Sequence, residues 1–122
     1  MKISIAALVS LSLICASGCG DKDQCGCSRE KVCVTISNTT SHQLETVRLH
    51  TNGIIQVESG PLASGAKTCI AFRSPGENSF NLTAILSDGG TVTSNEEYSE
   101  GGYKFIGTVT KDKIEIEHDN TY

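Results

Sequence analysis

Tryptophan is missing from this 122-residue sequence, and aromatic residues make up only 5% of it. A core must then be built from aliphatic side chains around three phenylalanines, which makes it light and gives a covalent staple more to do. No apolar stretch reaches the ~20 residues that a membrane-spanning helix needs. Lys and Arg are scattered and the formal net charge is −4, so there is no basic stripe for phosphates and nucleic acid is disfavoured as a partner. A basic peripheral helix for anionic lipid is absent too. Neither Gly-x-Ser-x-Gly, His-Glu-x-x-His, a phosphate-binding glycine loop nor an EF-hand-like calcium loop occurs. The expectation is a protein that is not an enzyme and needs no cofactor or metal.

What is present begins at the N-terminus. Met1-Lys2 is followed by ISIAALVSLSLI (3–14) and then by small residues, the layout of a secretory signal peptide. Ala16-Ser17-Gly18 stand directly before Cys19. This arrangement resembles the lipobox of bacterial lipoproteins, in which small residues precede the cysteine that is lipidated. The resemblance implies that residues 1–18 are removed and that Cys19 becomes a diacylglyceryl-modified N-terminus, often with a further N-acyl chain. Ala16 stands where that family usually carries Leu. Ala-x-Gly also suits ordinary signal peptidase, which leaves free secretion as the alternative. Each buried lipid methylene contributes ~0.8 kcal/mol, so two or three chains hold a small domain on a membrane stably. Gly20 after the cysteine implies, by the same resemblance, outer-membrane sorting with the domain facing the periplasm in a Gram-negative host.

Residues 19–30, with GDKDQCGCSRE after Cys19, read as a tether, and residues 31–122 as one domain with one modest core. From Lys31 onward apolar residues recur with period two between turn residues, and no stretch keeps a helical period. The expected strands are KVCVTIS (31–37), LETVRLH (44–50), GIIQVES (53–59), AKTCIAF (66–72), SFNLTAILS (79–87), TVTS (91–94), YKFIGTVT (103–110) and KIEIEH (113–118). Asn52-Gly53 and Asp88-Gly89-Gly90 are hairpin signals. The facing of 44–50 stays open, because Leu44 is out of phase with Val47 and Leu49. In the last strand Ile114 and Ile116 point inward while Lys113, Glu115 and Glu117 suit a solvated face or a protected sheet edge.

Seven to eight short strands with regular turns predict an antiparallel all-β sandwich or small barrel. The segment 34–72, with its Asn-Thr turn and the loop Gly60-Pro61-Leu62-Ala63-Ser64-Gly65, resembles small bacterial immunoglobulin-like domains. That resemblance implies the fold alone, since such sandwiches host unrelated roles.

With Cys19 acylated, Cys25, Cys27, Cys33 and Cys69 remain, an even number suited to disulfides in an oxidising compartment. Cys33 and Cys69 are each out of phase with their apolar neighbours and so share one kind of face, compatible with a cross-strand bridge. The alternative is that Cys25 and Cys27 pin the tether by pairing with Cys33 and Cys69. Cys25-x-Cys27-x5-Cys33 offers soft metal ligands, but the second ligand pair of a structural zinc site is missing, and His42, His50 and His118 are scattered.

One segment has binding character. Glu96, Glu97, Tyr98, Glu100 and Tyr103 place two tyrosines among three carboxylates, a surface able to contact a basic partner, or else a solvated loop whose rings cover the end of the sandwich. The leading expectation is a lipid-anchored, non-enzymatic structural or protein-binding module. An inhibitor or immunity lipoprotein against an envelope-targeting hydrolase, and a free secreted adhesion module, are the alternatives.

Overall fold

The computed structural model describes residues 25–119; the expected signal peptide 1–18, Cys19 and the tether up to residue 24 lie outside the described residues. Nine strands follow one another: β1 (Lys31–Asn38), β2 (Leu44–Thr51), β3 (Ile54–Ser59), β4 (Lys67–Arg73), β5 (Asn78–Leu86), β6 (Thr91–Thr93), β7 (Glu97–Ser99), β8 (Lys104–Val109) and β9 (Ile114–His118). They form two sheets, one ordered β4-β1-β8-β9 and the other β3-β2-β5-β6, with β7 also pairing β5. The expected all-β sandwich is therefore observed. One pairing departs from an antiparallel layout: β1 and β8 run parallel, with Val34 opposite Phe105. The chain reaches β8 only after building the whole second sheet, and it re-enters beside β1 in the same direction.

Strict alternation in β1 sends Val32, Val34 and Ile36 inward, all fully buried. They meet Leu49, Phe80 and Leu82 of the facing sheet in one continuous core. Each such side chain contributes ~1.5–3 kcal/mol on burial. Phe80 is the hub of the aromatic part, 5.9 Å from Phe72 and 5.1 Å from Phe105 between ring centroids.

The open facing of β2 has a structural cause. Its register against β5 shifts between Leu44 and Thr46, so Leu44, Val47 and Leu49 all reach the core despite their broken phase. Such a bulge inserts one residue and resets the alternation. The β2–β3 turn follows its sequence signal: Asn52 (φ 53°) and Gly53 (φ 79°) both take the left-handed conformation, between the paired residues Thr51 and Ile54.

Asn38 continues the inward series of β1 by one step and is fully buried, a polar group where an apolar one is expected. Its amide donates to the carbonyls of His42 (2.9 Å) and Leu62 (3.1 Å). Its side-chain oxygen accepts from the Thr40 amide (3.0 Å) and the Thr40 hydroxyl (2.8 Å). All four hydrogen-bonding positions of the side chain are thus used. The backbone of Asn38 also accepts from Gly65 and donates to Ala66. The Asn-Thr turn and the Gly60–Gly65 loop of the sequence are two halves of this one node.

Asn38→Ala leaves several of these buried groups without partners and is expected to cost about 2–4 kcal/mol. The measurement is urea unfolding, with a lower midpoint at an unchanged slope. A loss below about 1 kcal/mol would remove the node from its clamping role.

Candidate functional site: the stapled tether and the open sheet edge

Two disulfides join the tether to the sheet, Cys25 to Cys69 and Cys27 to Cys33, with Cα–Cα distances of 5.4 and 6.1 Å. The expected direct bridge between Cys33 and Cys69 is not formed. Phase placed both on the outer face correctly, but register separates them: Cys33 lies opposite Ala71, and Cys69 lies opposite Thr35. Such diagonal neighbours stand ~7–8 Å apart, whereas a disulfide needs Cβ atoms ~3.5–4.5 Å apart. The alternative in which Cys25 and Cys27 pair with the strand cysteines is the one observed. The sulfurs of Cys25, Cys27 and Cys69 lie within 4.8 Å of one another, a spacing that would suit a soft metal. Held in disulfides, they present no thiolate to an ion.

Residues 25–30 are fastened along their length. The Ser74 amide donates to the Glu30 carbonyl (2.8 Å), the Gly102 amide donates to the Lys31 carbonyl (2.8 Å), and Arg73 pairs with Glu30 (2.8 Å) on the surface. Gly101 makes this approach possible. A Cβ there would stand 2.5 Å from the Arg29 carbonyl oxygen and 2.6 Å from that of Ser74, both backbone atoms that cannot step aside.

The tyrosine-bearing segment is divided by the strand alternation of β7, a three-residue element too short to show a period in sequence. Glu97 lies opposite Phe80 and Tyr98 opposite Ser79, so their side chains leave on opposite sides. Glu97 borders a groove against β9, whereas Tyr98 borders a shallow hollow with Asn52, Glu77 and Asn78. Glu96 is exposed and receives a long hydrogen bond from the Ser79 hydroxyl (3.4 Å). Tyr98 is half exposed, and its hydroxyl donates to Glu100. That hydrogen bond, then slight desolvation and the Glu100 charge, push the phenol above its usual range. Tyr103 packs on the core edge, 6.1 Å from Phe105 and 5.5 Å from the His118 ring. Of the two readings for this segment, ring coverage describes Tyr103, while Tyr98 packs edge-on against the Tyr103 ring at 6.3 Å and leaves half of its surface exposed.

The groove of about 480 Å³ lies where the sheets part, between β9 and the Thr93–Glu97 segment. Ile114 and Ile116 line it, with Glu115, Glu117 and Lys113 along its rim. Lys113 pairs with Glu115 at 2.8 Å, and that hydrogen bond, reinforced by the charge, raises the lysine pKa. β9 is also a sheet edge, pairing only β8 among the described residues. The Thr110 amide donates to the Lys113 carbonyl and the Asp119 amide to the Lys104 carbonyl. By antiparallel alternation the odd-numbered residues of β9 then face β8, and the N–H and C=O groups of Ile114, Ile116 and His118 point to the open edge. Sequence reading had located the charged edge but not the groove, which depends on how far apart the two sheets end.

No family model matches the chain, and no curated protein matches it. Among solved structures it is similar to a protein from Eubacterium rectale determined by NMR, at 15% identity and a TM-score of 0.58, over 77% of this chain and 95% of that one. A second similar chain is a candidate cell adhesion protein from Bacteroides ovatus, at 15% identity and a TM-score of 0.39, over 75% of this chain and 43% of that one. The first likeness supports the fold.

The two staples differ in the loops they close, with sequence separations of 44 and 6. In the chain-entropy account, replacing both Cys25 and Cys69 by Ser is expected to cost ~4 kcal/mol, and replacing Cys27 and Cys33 ~2 kcal/mol. Denaturant unfolding of the two double variants measures the order. Peptide mapping without reductant should recover 25–69 and 27–33 links, and a 33–69 link would overturn the assignment.

Proposed function

We propose that this chain is an exported lipoprotein, anchored through Cys19 to the periplasmic face of an outer membrane, whose sandwich is a non-enzymatic module that binds a protein partner at its open side. The observation that carries this reading is the placement of the tether. Its disulfides fix residues 25–27 on the outer face of β1 and β4, while the groove lies beyond β9 at the other end of the same sheet. From Cys19 to Cys25 an extended chain spans at most ~20 Å. An anchor at Cys19 therefore holds the β4–β1 side close to the bilayer and leaves the β9 side turned away, toward soluble partners. The two disulfides suit an oxidising compartment, as export requires. The acidic rim of the groove supports a partner with basic groups.

Metabolic labelling with a fatty acid tests the anchor. Label is expected on the wild-type protein and not on Cys19→Ser, which should leave the membrane fraction. Equal labelling of both would overturn Cys19 as the anchor, and labelling of neither would return the chain to the secreted class.

A further inference from the structure

We infer that the free edge of β9 is a strand-addition site for an extended segment carrying Lys or Arg at alternate positions, with Val, Ile or Thr between them. This deepens the reading of the chain as a binding module and rests on it. Backbone supplies the first requirement. Ile114, Ile116 and His118 direct N–H and C=O groups outward that pair with no other strand among the described residues, with spacing that matches one face of an added strand. The groove supplies the second. Ile114 and Ile116 border about 480 Å³ of open space together with Thr93, Ser94, Asn95 and Thr108, room for the inward side chains of an added strand against a mixed polar and apolar wall.

Charge chooses the occupant. Glu115 and Glu117 project from the outer face of the edge strand, and Lys113 pairs with Glu115 at 2.8 Å. Residues directly opposite across a strand pair have Cβ atoms ~4.5–5.5 Å apart, where opposite charges attract and like charges repel. A second copy of β9 paired antiparallel about Ile116 would set Glu115 against Glu117 twice, which disfavours self-association. A basic strand meets both carboxylates with opposite sign. Glu97, across the groove on the other sheet, adds to the same field.

The probe is a synthetic heptapeptide alternating lysine and valine, titrated against the full processed chain in detergent. Three comparisons decide the matter: a peptide N-methylated at the residues that would pair with β9, a peptide with glutamate in place of lysine, and the protein variant E115K/E117K. Binding is expected for the parent peptide, to weaken with salt, and to fall by roughly tenfold or more in the charge-reversed protein. The N-methylated and glutamate peptides should not bind. Failure of the parent peptide to bind, or equal binding of the N-methylated peptide, would overturn strand addition. Equal affinity for E115K/E117K would overturn the charge rule, and a dimer that paired through β9 would give the edge to a second copy. None of these outcomes bears on fatty-acid labelling at Cys19, so the anchor and the edge stand or fall separately.

Discussion

Asn38 is the constraint on which the arrangement of the two sheets depends. It sits at a core position of β1, and its side chain reaches into both connections that pass between sheets at that end. One connection, through Thr40 and His42, leads from β1 across to β2. The other, through Leu62, leads from β3 back to β4. An apolar residue would contribute burial there but would impose no geometry. A buried amide contributes stability only when each of its four positions is met, so it admits very few arrangements of the two loops. The far end of β1 is held by different means. There the tether crosses the sheet, Cys27 is bonded to Cys33, and the Gly101 turn closes over Arg29. The strand at the centre of the first sheet is fixed by polar complementarity at one end and by covalent bonds at the other.

The light core makes that division understandable. Three phenylalanines form one contiguous group, and the remainder is aliphatic. A domain of about a hundred residues leaves a large share of its surface wet and has little excess stability. Disulfides act on the unfolded chain and add stability without enlarging the core. The longer of the two crosses from the tether to β4, so it restricts nearly half of the domain. The tether is accordingly part of the fold from Cys25 onward.

Most of the strands were legible because period-two alternation is a local property, read without knowing which strand lies alongside. The Asn52-Gly53 turn was legible for the same reason. What failed was whatever depends on register. Phase put Cys33 and Cys69 on one face, but only the pairing of Cys33 with Ala71 shows that they are diagonal and out of reach. The bulge near Leu44 hid the facing of β2, since an extra residue reverses the parity on which the reading relies. The candidate segment 96–103 was read as one surface, yet three residues of strand suffice to send Glu97 and Tyr98 to opposite sides. The loop resemblance carried more than it showed, because the Asn-Thr turn and the Gly60–Gly65 loop prove to be partners in space.

An open two-sheet sandwich has four edges, and an unprotected edge invites pairing with any exposed strand. Here the edges differ. The edge strand β4 carries the Cys25 staple on its outer face. β3 breaks register against β2 between Leu49 and His50, a bulge that twists the edge. β6 has three residues, too few to template a partner. β9 pairs β8 without a register shift and carries Glu115 and Glu117 on its outer face. A bulge or a short strand obstructs every partner equally, whereas charge obstructs only partners of the same sign. Protection by Glu115 and Glu117 is therefore conditional, and the condition is itself a specificity. It falls on the edge beside the open groove, where an added strand would cover the partly buried Ile116.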